Sequence, residues 1–333
     1  MKIAIFAAGT GGHIYPALSI AENFKKEEVL FFASSRKLEK DIFAKTDYQV
    51  IHLDIEGFRG KSVLKKIIFP LAVSFNLFKV LFELIRFKPS KILILGGYIS
   101  ILGLLASKIL FKPLFLHEQN SILGTTNKIA SHFTKKNFTA FKIGVKKEKN
   151  LGNPIRNQFF KDTYLSNPIK NKILVLGGSQ GSKFFNKNLP EILMKSEITE
   201  KIIFQTGNQA HLIDNKKIQF RNFIDNLPEL FSQTKFVICR SGASTVSELQ
   251  AYGMPALLFP LSNSIDDHQK INAESYSNND SEMVFNEKDF NPEDFLEQLN
   301  RFNSRDLKEL SKRIKKDLHC DAAIKIANEI KQD

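Results

Sequence analysis

Twice in this chain a short apolar run with no polar alternation empties into a glycine-rich turn. The two places are Ile3-Ala4-Ile5-Phe6-Ala7-Ala8-Gly9-Thr10-Gly11-Gly12 and Ile173-Leu174-Val175-Leu176-Gly177-Gly178-Ser179-Gln180-Gly181. A continuous apolar run of this length reads as a parallel strand buried on both faces, and the glycine turn behind it opens a helix whose first amide N–H groups face outward. That opening begins a doubly wound α/β domain. Its recurrence in 333 residues, a length for two domains of roughly 150 residues each, predicts two Rossmann-like domains facing a central cleft.

The rest of the chain keeps the same rhythm. Strand candidates Lys2–Ala8, Val29–Ser34, Tyr48–Ile55, Lys91–Gly96, Leu114–Glu118 and Asn137–Phe141 alternate with helical patterns. After Gly152-Asn153-Pro154 the series restarts with Lys172–Gly177, Lys201–Thr206, Phe220–Ile224, Phe236–Cys239, Pro255–Pro260 and Ser281–Phe285. The expected domains are 1–157 and 158–333, with a helix near 318–333 that crosses back to the first. Ligands of such sheets bind beyond the carboxyl ends of the strands, so the site is expected between the halves.

Charge is distributed unevenly. Residues 1–150 hold 24 Lys and Arg against 11 Asp and Glu, whereas residues 151–333 hold 24 of each, so the whole net charge of +13 belongs to the first half. That half is expected to face something anionic. Two cysteines, Cys239 and Cys320, cannot build a disulfide framework and fit a reducing compartment, and the amino terminus shows no secretory signal. No zinc spacing or nucleic-acid module accompanies the basic half, so nucleic acid is not expected as a partner.

Segment 61–88 stands apart. Leu64, Ile68, Leu71, Phe75, Phe78, Phe82 and Ile85 form one helical stripe, with Lys61, Lys65, Lys66, Lys79, Arg86 and Lys88 around it. Its charge-free stretch, interrupted by Pro70, is too short for the about 20 apolar residues of a membrane span. The stripe fits a helix packed on the first sheet. It equally fits one that dips phenylalanines into a membrane interface while lysines meet anionic head groups, and the two can coexist.

The glycine turns do not match the common nucleotide fingerprints. Gly9-Thr10-Gly11 runs on as Gly12-His13-Ile14 and the second strand ends in Ala33-Ser34-Ser35 without an acid, which disfavours a nicotinamide dehydrogenase. In the second turn Lys183 lies between Ser182 and Phe184, which disfavours a P-loop ATPase. A third cluster, Arg240-Ser241-Gly242-Ala243-Ser244-Thr245-Val246-Ser247-Glu248, followed by Gly253-Met254-Pro255 and Asp266-Asp267-His268-Gln269, is more specific. There Glu248 lies about one turn into a helix, where a carboxylate can accept from the two vicinal hydroxyls of a ribose.

Taken in order, Ala8–Ala17, Gly96-Gly97-Tyr98, His117-Glu118-Gln119-Asn120, Asn153-Pro154-Ile155-Arg156, Gly177–Gly181, Phe223-Ile224-Asp225, Arg240–Thr245 and Asp267-His268-Gln269 resemble the motif set of the MurG family of peptidoglycan glycosyltransferases. The resemblance covers roughly residues 1–275. It implies a GT-B architecture and an inverting transfer of N-acetylglucosamine from UDP-N-acetylglucosamine to undecaprenyl-pyrophosphoryl-N-acetylmuramoyl-pentapeptide, without cofactor or metal. The enzyme would work at the cytoplasmic face of the inner membrane, bound peripherally to anionic phospholipid. The alternative is another GT-B enzyme, either a UDP-sugar epimerase or a transferase with a different acceptor. On the family pattern Thr10, Gly11, Gly12 and Asn120 approach the donor sugar, Arg156 and Ser179 hold the diphosphate, Ile224 reads uracil, Glu248 binds the ribose and Gln269 meets the sugar. Gly9 and Tyr98 fall to the acceptor side. Ile101-Leu102 depart from the usual Gly-Pro, and Ser182 replaces a common alanine in what is expected to be a silent change.

A single displacement at the anomeric carbon needs a base for the acceptor hydroxyl and charge stabilisation for departing UDP. With no Asp-x-Asp sequence in the chain, that stabilisation is expected from Arg156 and the amides near Ser179. His13 is the expected base, since a histidine titrates near about 6.5, and Glu118 is its rival.

Overall fold

The computed structural model describes all residues except 10, 56–62, 179, 208–213, 225, 263–266, 279 and 317–318, together with the side chains of 63–71. The chain divides into two compact units, Met1–Arg156 with Leu318–Asp333, and Asn157–Asp317.

The first unit is a seven-stranded parallel sheet in the order β3-β2-β1-β4-β5-β6-β7. Its strands are β1 (Ile3–Phe6), β2 (Val29–Ser34), β3 (Gln49–Leu53), β4 (Lys91–Ile94), β5 (Leu114–Glu118), β6 (Lys136–Thr139) and β7 (Glu148–Asn150). Period-two alternation divides their side chains between two cores. Ile3, Ile5, Phe31, Leu93 and Phe115 pack with Ile14, Ala17 and Ile20 of α1 (Gly11–Ala21) and with Ile326 and Ile330 of α12 (Ala322–Gln332). Ala4, Phe6, Leu30, Ile92 and Ile94 pack on the other face with Val80 and Leu84 of α3 (Val63–Phe87) and Leu102 of α4 (Ser100–Ile109). The carboxy-terminal helix α12 is further tied down by Lys91, whose ammonium donates to the Ile330 carbonyl, and by Lys136, paired with Glu329 at 2.9 Å and Asp333 at 2.7 Å.

Helix α3 does not bury the stripe that its spacing marks. Phe75, Phe78, Phe82 and Ile85 are 76%, 74%, 65% and 60% exposed, while Asn76, Val80 and Leu84 are buried and Val73, Leu77 and Leu81 are half-buried. The helix is apolar on both sides, so its periodicity cannot tell which face meets the sheet. Of the remaining stripe and its basic neighbours, Lys61, Leu64, Lys65, Lys66, Ile68 and Leu71 lie outside the described side chains.

The second unit is a five-stranded parallel sheet in the order β10-β9-β8-β11-β12. The strands are β8 (Lys172–Leu176), β9 (Lys201–Gln205), β10 (Ile218–Arg221), β11 (Thr234–Cys239) and β12 (Ala256–Leu258). The expected strand at Phe220–Ile224 begins earlier, because Asn215 Oδ1 accepts from Lys217 N and Ile218 N in the turn that launches it. The strand expected at Ser281–Phe285 is instead a 3-10 turn, Ser281–Met283, capped by the Asp280 carboxylate, with a single bridge from Val284 to Leu258. After β8, β11 and β12 come α6 (Lys183–Lys195), α8 (Ala243–Tyr252) and α9 (His268–Ser277).

Candidate functional site

In the first unit, parallel pairing places the carboxyl ends of β1, β4 and β5 side by side on one edge, and the sequence puts its motifs there. Gly9, Gly96 and Gly97 have φ of 125°, 99° and 75°, backbone conformations that side chains with a Cβ rarely adopt. Their bare α-carbons form a slot for the His13 imidazole at the start of α1. A Cβ on Gly9 would meet His13 Cδ2 at 3.2 Å, one on Gly96 would meet His13 Cε1 at 3.1 Å, and one on Gly97 would strike the Ala8 carbonyl at 2.6 Å.

His13 Nδ1 lies 2.9 Å from Gln119 Oε1. The Gln119 amide nitrogen lies 3.2 Å from His117 Nδ1, and His117 Nε2 lies 3.3 Å from the Gly152 carbonyl. Gln119 and His117 are both buried. Burial pushes the His117 pKa down to about 4, partly opposed by the bond to Gly152.

The unfolded chain takes up a proton on His117 near pH 6.5 and the folded chain only near 4, so this contribution to stability is complete above 6.5 and is lost as pH falls toward 4. Its full size is on the order of 3 kcal/mol. Denaturant titrations at pH 7 and pH 4.5 are expected to show the parent losing more stability than His117→Asn; equal losses would mean that this group does not titrate in that window.

Glu118, at the end of β5, is buried and fully engaged. One oxygen accepts from Asn120 N at 3.0 Å and Asn120 Nδ2 at 3.1 Å, and the other from Gly124 N at 3.0 Å and Asn127 Nδ2 at 2.8 Å. Four donors occupy the lone pairs a base would use. The carboxylate instead staples the loop 118–124 to α5 (Thr125–Ala130), which fixes the Asn120 side chain.

Gly9 N–H is likewise committed. It donates at 2.9 Å to Glu39, a fully buried carboxylate in α2 (Lys37–Phe43) that also accepts from Ser34 N at 2.8 Å and Ser34 Oγ at 2.5 Å. The Gly9 amide, expected on the acceptor side, is therefore spent inside the protein and is not a donor for an acceptor pyrophosphate; Glu39 uses it to pin the turn to β2. Thr10 lies outside the described residues. Gly11 and Gly12 open α1, with a Cβ on Gly11 meeting the Tyr15 ring at 3.0 Å. Tyr98 lies next to this edge under the Arg36 guanidinium, 5.5 Å from the ring centroid, and Arg156 sits 5.5 Å from the Tyr15 ring.

In the second unit the loops after β8 and β9 touch backbone to backbone. A Cβ on Gly181 would sit 2.0 Å from the Thr206 carbonyl, and one on Gly207 would sit 2.3 Å from the Gln180 carbonyl. Gln205 Nε2 donates to the Gly178 carbonyl at 2.8 Å, so the turn holding residue 179 is braced from both sides. Ser179 itself lies outside the described residues. Ser182 is not a silent substitution: its hydroxyl caps α6 by accepting from Phe185 N and receives Arg240 Nη2 at 2.6 Å. Arg240 is also ion-paired to Glu287 and lies 4.6 Å from the Phe185 ring, which makes it a strut beneath the loop.

Ile224 is half-buried in the connection between β10 and α7 (Leu227–Ser232). Glu248 is half-buried in the second turn of α8. Gln269 Oε1 accepts from Leu261 N at 3.0 Å, and its backbone carbonyl accepts from Ser241 Oγ at 2.7 Å, which joins α9 to the start of α8. Asn272 Nδ2 adds a bond to the Ser241 carbonyl at 3.1 Å. Among the described residues no group of three or more His, Cys, Asp or Glu could hold a metal ion.

Two parallel α/β units, each opening on a strand and a braced glycine turn, agree with the family matches, which make the chain a two-domain glycosyltransferase. Residues 3–139 match the glycosyltransferase family 28 N-terminal domain and residues 172–330 the family 28 C-terminal domain. The UDP-N-acetylglucosamine--N-acetylmuramyl-(pentapeptide) pyrophosphoryl-undecaprenol N-acetylglucosamine transferase of Polynucleobacter asymbioticus is 33% identical, over 94% of this chain and 92% of the relative. The same-named protein of Vesicomyosocius okutanii is 36% identical over 93% and 92%. The crystal structure of Acinetobacter baumannii MurG superposes with a TM-score of 0.78 at 26% identity, covering 100% of both chains. The chain belongs to the MurG family.

Proposed function

We propose that this chain transfers N-acetylglucosamine from UDP-N-acetylglucosamine to N-acetylmuramoyl-pentapeptide carried on pyrophosphoryl-undecaprenol, giving lipid II with inversion at the anomeric carbon. The observation that carries the reading is the His13 ring held between bare glycine α-carbons at the strand ends, in a chain matched over nearly its whole length by transferases of that name. The acceptor C4 hydroxyl attacks the anomeric carbon and the bond to the β-phosphate oxygen breaks, its electron pair leaving with UDP. The hydroxyl proton passes to His13 Nε2. Arg156 and the amides of the 177–181 turn meet the charge developing on the diphosphate, where loss of one fixed donor typically costs about 3 kcal/mol, or roughly a hundredfold in rate. Glu248 and Ile224 hold the nucleoside, Gln269, Asn120, Thr10, Gly11 and Gly12 the sugar, and Tyr98 the acceptor. Turnover of Arg156→Ala and Glu248→Ala compared with the parent tests the donor assignment: a loss near a hundredfold is expected in each, and near-parental rates in both would remove it.

Among the described residues no helix is long and apolar enough to cross a membrane. The α3 stripe supplies a different contact. Phe75, Phe78, Phe82 and Ile85 project together beside Lys79 and Arg86, and this is the chemistry of a peripheral helix on an anionic bilayer. The chain accordingly docks on the cytoplasmic face of the inner membrane, where its acceptor resides. Each phenylalanine moved from water into the interface contributes about 1.5 kcal/mol or more. Sedimentation with vesicles containing anionic phospholipid is expected to weaken at least tenfold for Phe75→Ser/Phe78→Ser/Phe82→Ser. Undiminished vesicle binding by the triple variant would show that the helix does not touch lipid.

A further inference from the structure

We infer that Gln119 and His117 are positioning residues that fix the tautomer of His13, placing the proton on Nδ1 and leaving the Nε2 lone pair to take the acceptor proton. The inference rests on the reading of His13 as the base, and its logic runs from the one end of the chain of contacts whose polarity is unambiguous. The Gly152 carbonyl can only accept, so the atom facing it at 3.3 Å, His117 Nε2, carries a hydrogen. His117 is buried and neutral near pH 7, so its Nδ1 is a lone pair and must accept. The atom facing Nδ1 at 3.2 Å is therefore the Gln119 amide nitrogen, which turns Gln119 Oε1 toward His13. Oε1 can only accept, and the His13 nitrogen 2.9 Å away, Nδ1, must donate. The proton of a neutral imidazole is then spent, and Nε2 is left as an acceptor.

The surroundings support that outcome. Gln119 and His117 are packed out of solvent, so neither can turn over without leaving a buried polar atom unpaired. The other edge of the ring lies against Gly9, where even an added Cβ would come no nearer than 3.9 Å to Nε2. A histidine whose Nε2 carried the hydrogen would present Nδ1 as a lone pair to Gln119 Oε1, acceptor against acceptor. The hydrogen bond made by one ring nitrogen thus decides what the other can do. The carboxylate that orients a catalytic histidine in many hydrolases is replaced here by a neutral amide, which fixes direction without adding charge beside the ring.

The test separates this inference from the assignment of the base. Long-range proton–nitrogen spectra of the full chain with labelled histidine, at neutral pH and without substrate, are expected to show His13 protonated at Nδ1 and His117 at Nε2. Gln119→Leu is expected to release His13 into a mixture of tautomers and to lower kcat about tenfold to a hundredfold with KM for the UDP-sugar little changed. That range lies between the net worth of a neutral hydrogen bond and the about 10⁴-fold loss when a catalytic histidine is left in the wrong tautomer. Gln119→Glu keeps an acceptor for His13 Nδ1–H, so it should restore the single tautomer at His13; its other oxygen replaces the donor to His117 Nδ1, so the same variant is expected to raise the His117 pKa instead of leaving that ring as in the parent. A parental spectrum with His13 protonated at Nε2, or a Gln119→Leu spectrum identical to the parent, overturns the relay. If those spectra come out as expected while His13→Ala transfers sugar at a normal rate, the relay stands and the base assignment falls. The parental spectrum decides the matter even if the leucine variant does not fold.

Discussion

His13→Ala is expected to lower kcat by about 10²- to 10⁴-fold, the range a positioned proton acceptor supplies, with the affinity for UDP-N-acetylglucosamine nearly unchanged. The expectation follows from how the ring is held. Gly9 and Gly96 adopt positive φ and their missing side chains make room for it, and a buried amide fixes its orientation. Nothing in that arrangement serves the nucleoside, whose assigned contacts Ile224 and Glu248 belong to the second unit. Because the ring is half-exposed at the edge of a sheet rather than in a core, its removal should cost the fold little. Steady-state rates at saturating donor, paired with calorimetric titration of the UDP-sugar, check both halves. A variant that loses donor affinity and rate together would make His13 a binding group instead.

The second large effect is expected at Glu118, and it is of a different kind. Glu118→Ala strands four N–H donors, two of them on Asn120 and the others on Gly124 and Asn127. The Asn127 donor is buried and left unmet at a cost of about 1–3 kcal/mol, and the more exposed donors on Asn120 and Gly124 add less, so a destabilisation of about 3 kcal/mol is expected. Glu118→Gln is predicted to be poor as well, since its amide nitrogen would face two donors. Both variants should unfold at lower temperature and hold the donor sugar weakly through the loosened Asn120, whereas a residue acting only as a base would lose rate with its melting temperature intact. Thermal unfolding of the two variants beside His13→Ala distinguishes the roles: unchanged melting with a collapsed rate in Glu118→Gln would return the carboxylate to proton transfer.

What could be read from the chain was local. β2 and β5 coincide with their predicted limits because each apolar run is bounded by residues that do not continue it, Glu28 and Ser35 around β2, Pro113 and Gln119 around β5. The first glycine turn could be recognised because only a strand followed by Gly-x-Gly-Gly gives that sequence, and His13 follows from its place after it. What could not be read depends on partners far along the chain. Glu39, within Lys37-Leu38-Glu39-Lys40-Asp41, looks like one acid on a solvated helix, yet it is fully buried against Gly9 and Ser34. Gln119 meets His13 across 106 positions of sequence. Ser182 reads as a neutral exchange for alanine in the sequence, yet its hydroxyl receives Arg240 from 58 positions away. β7, Glu148-Lys149-Asn150, carries no apolar signal because it is an edge strand.

The central claim is that the sugar moves from UDP to a lipid-linked alcohol, and product analysis tests it most directly. The purified chain, incubated with radiolabelled UDP-N-acetylglucosamine and an N-acetylmuramoyl-pentapeptide pyrophosphoryl lipid, should carry label into the lipid phase with one UDP released per sugar, and should release almost none without the lipid. Release of free sugar, or conversion of the UDP-sugar to an isomer, at the same rate with the lipid left out would contradict it.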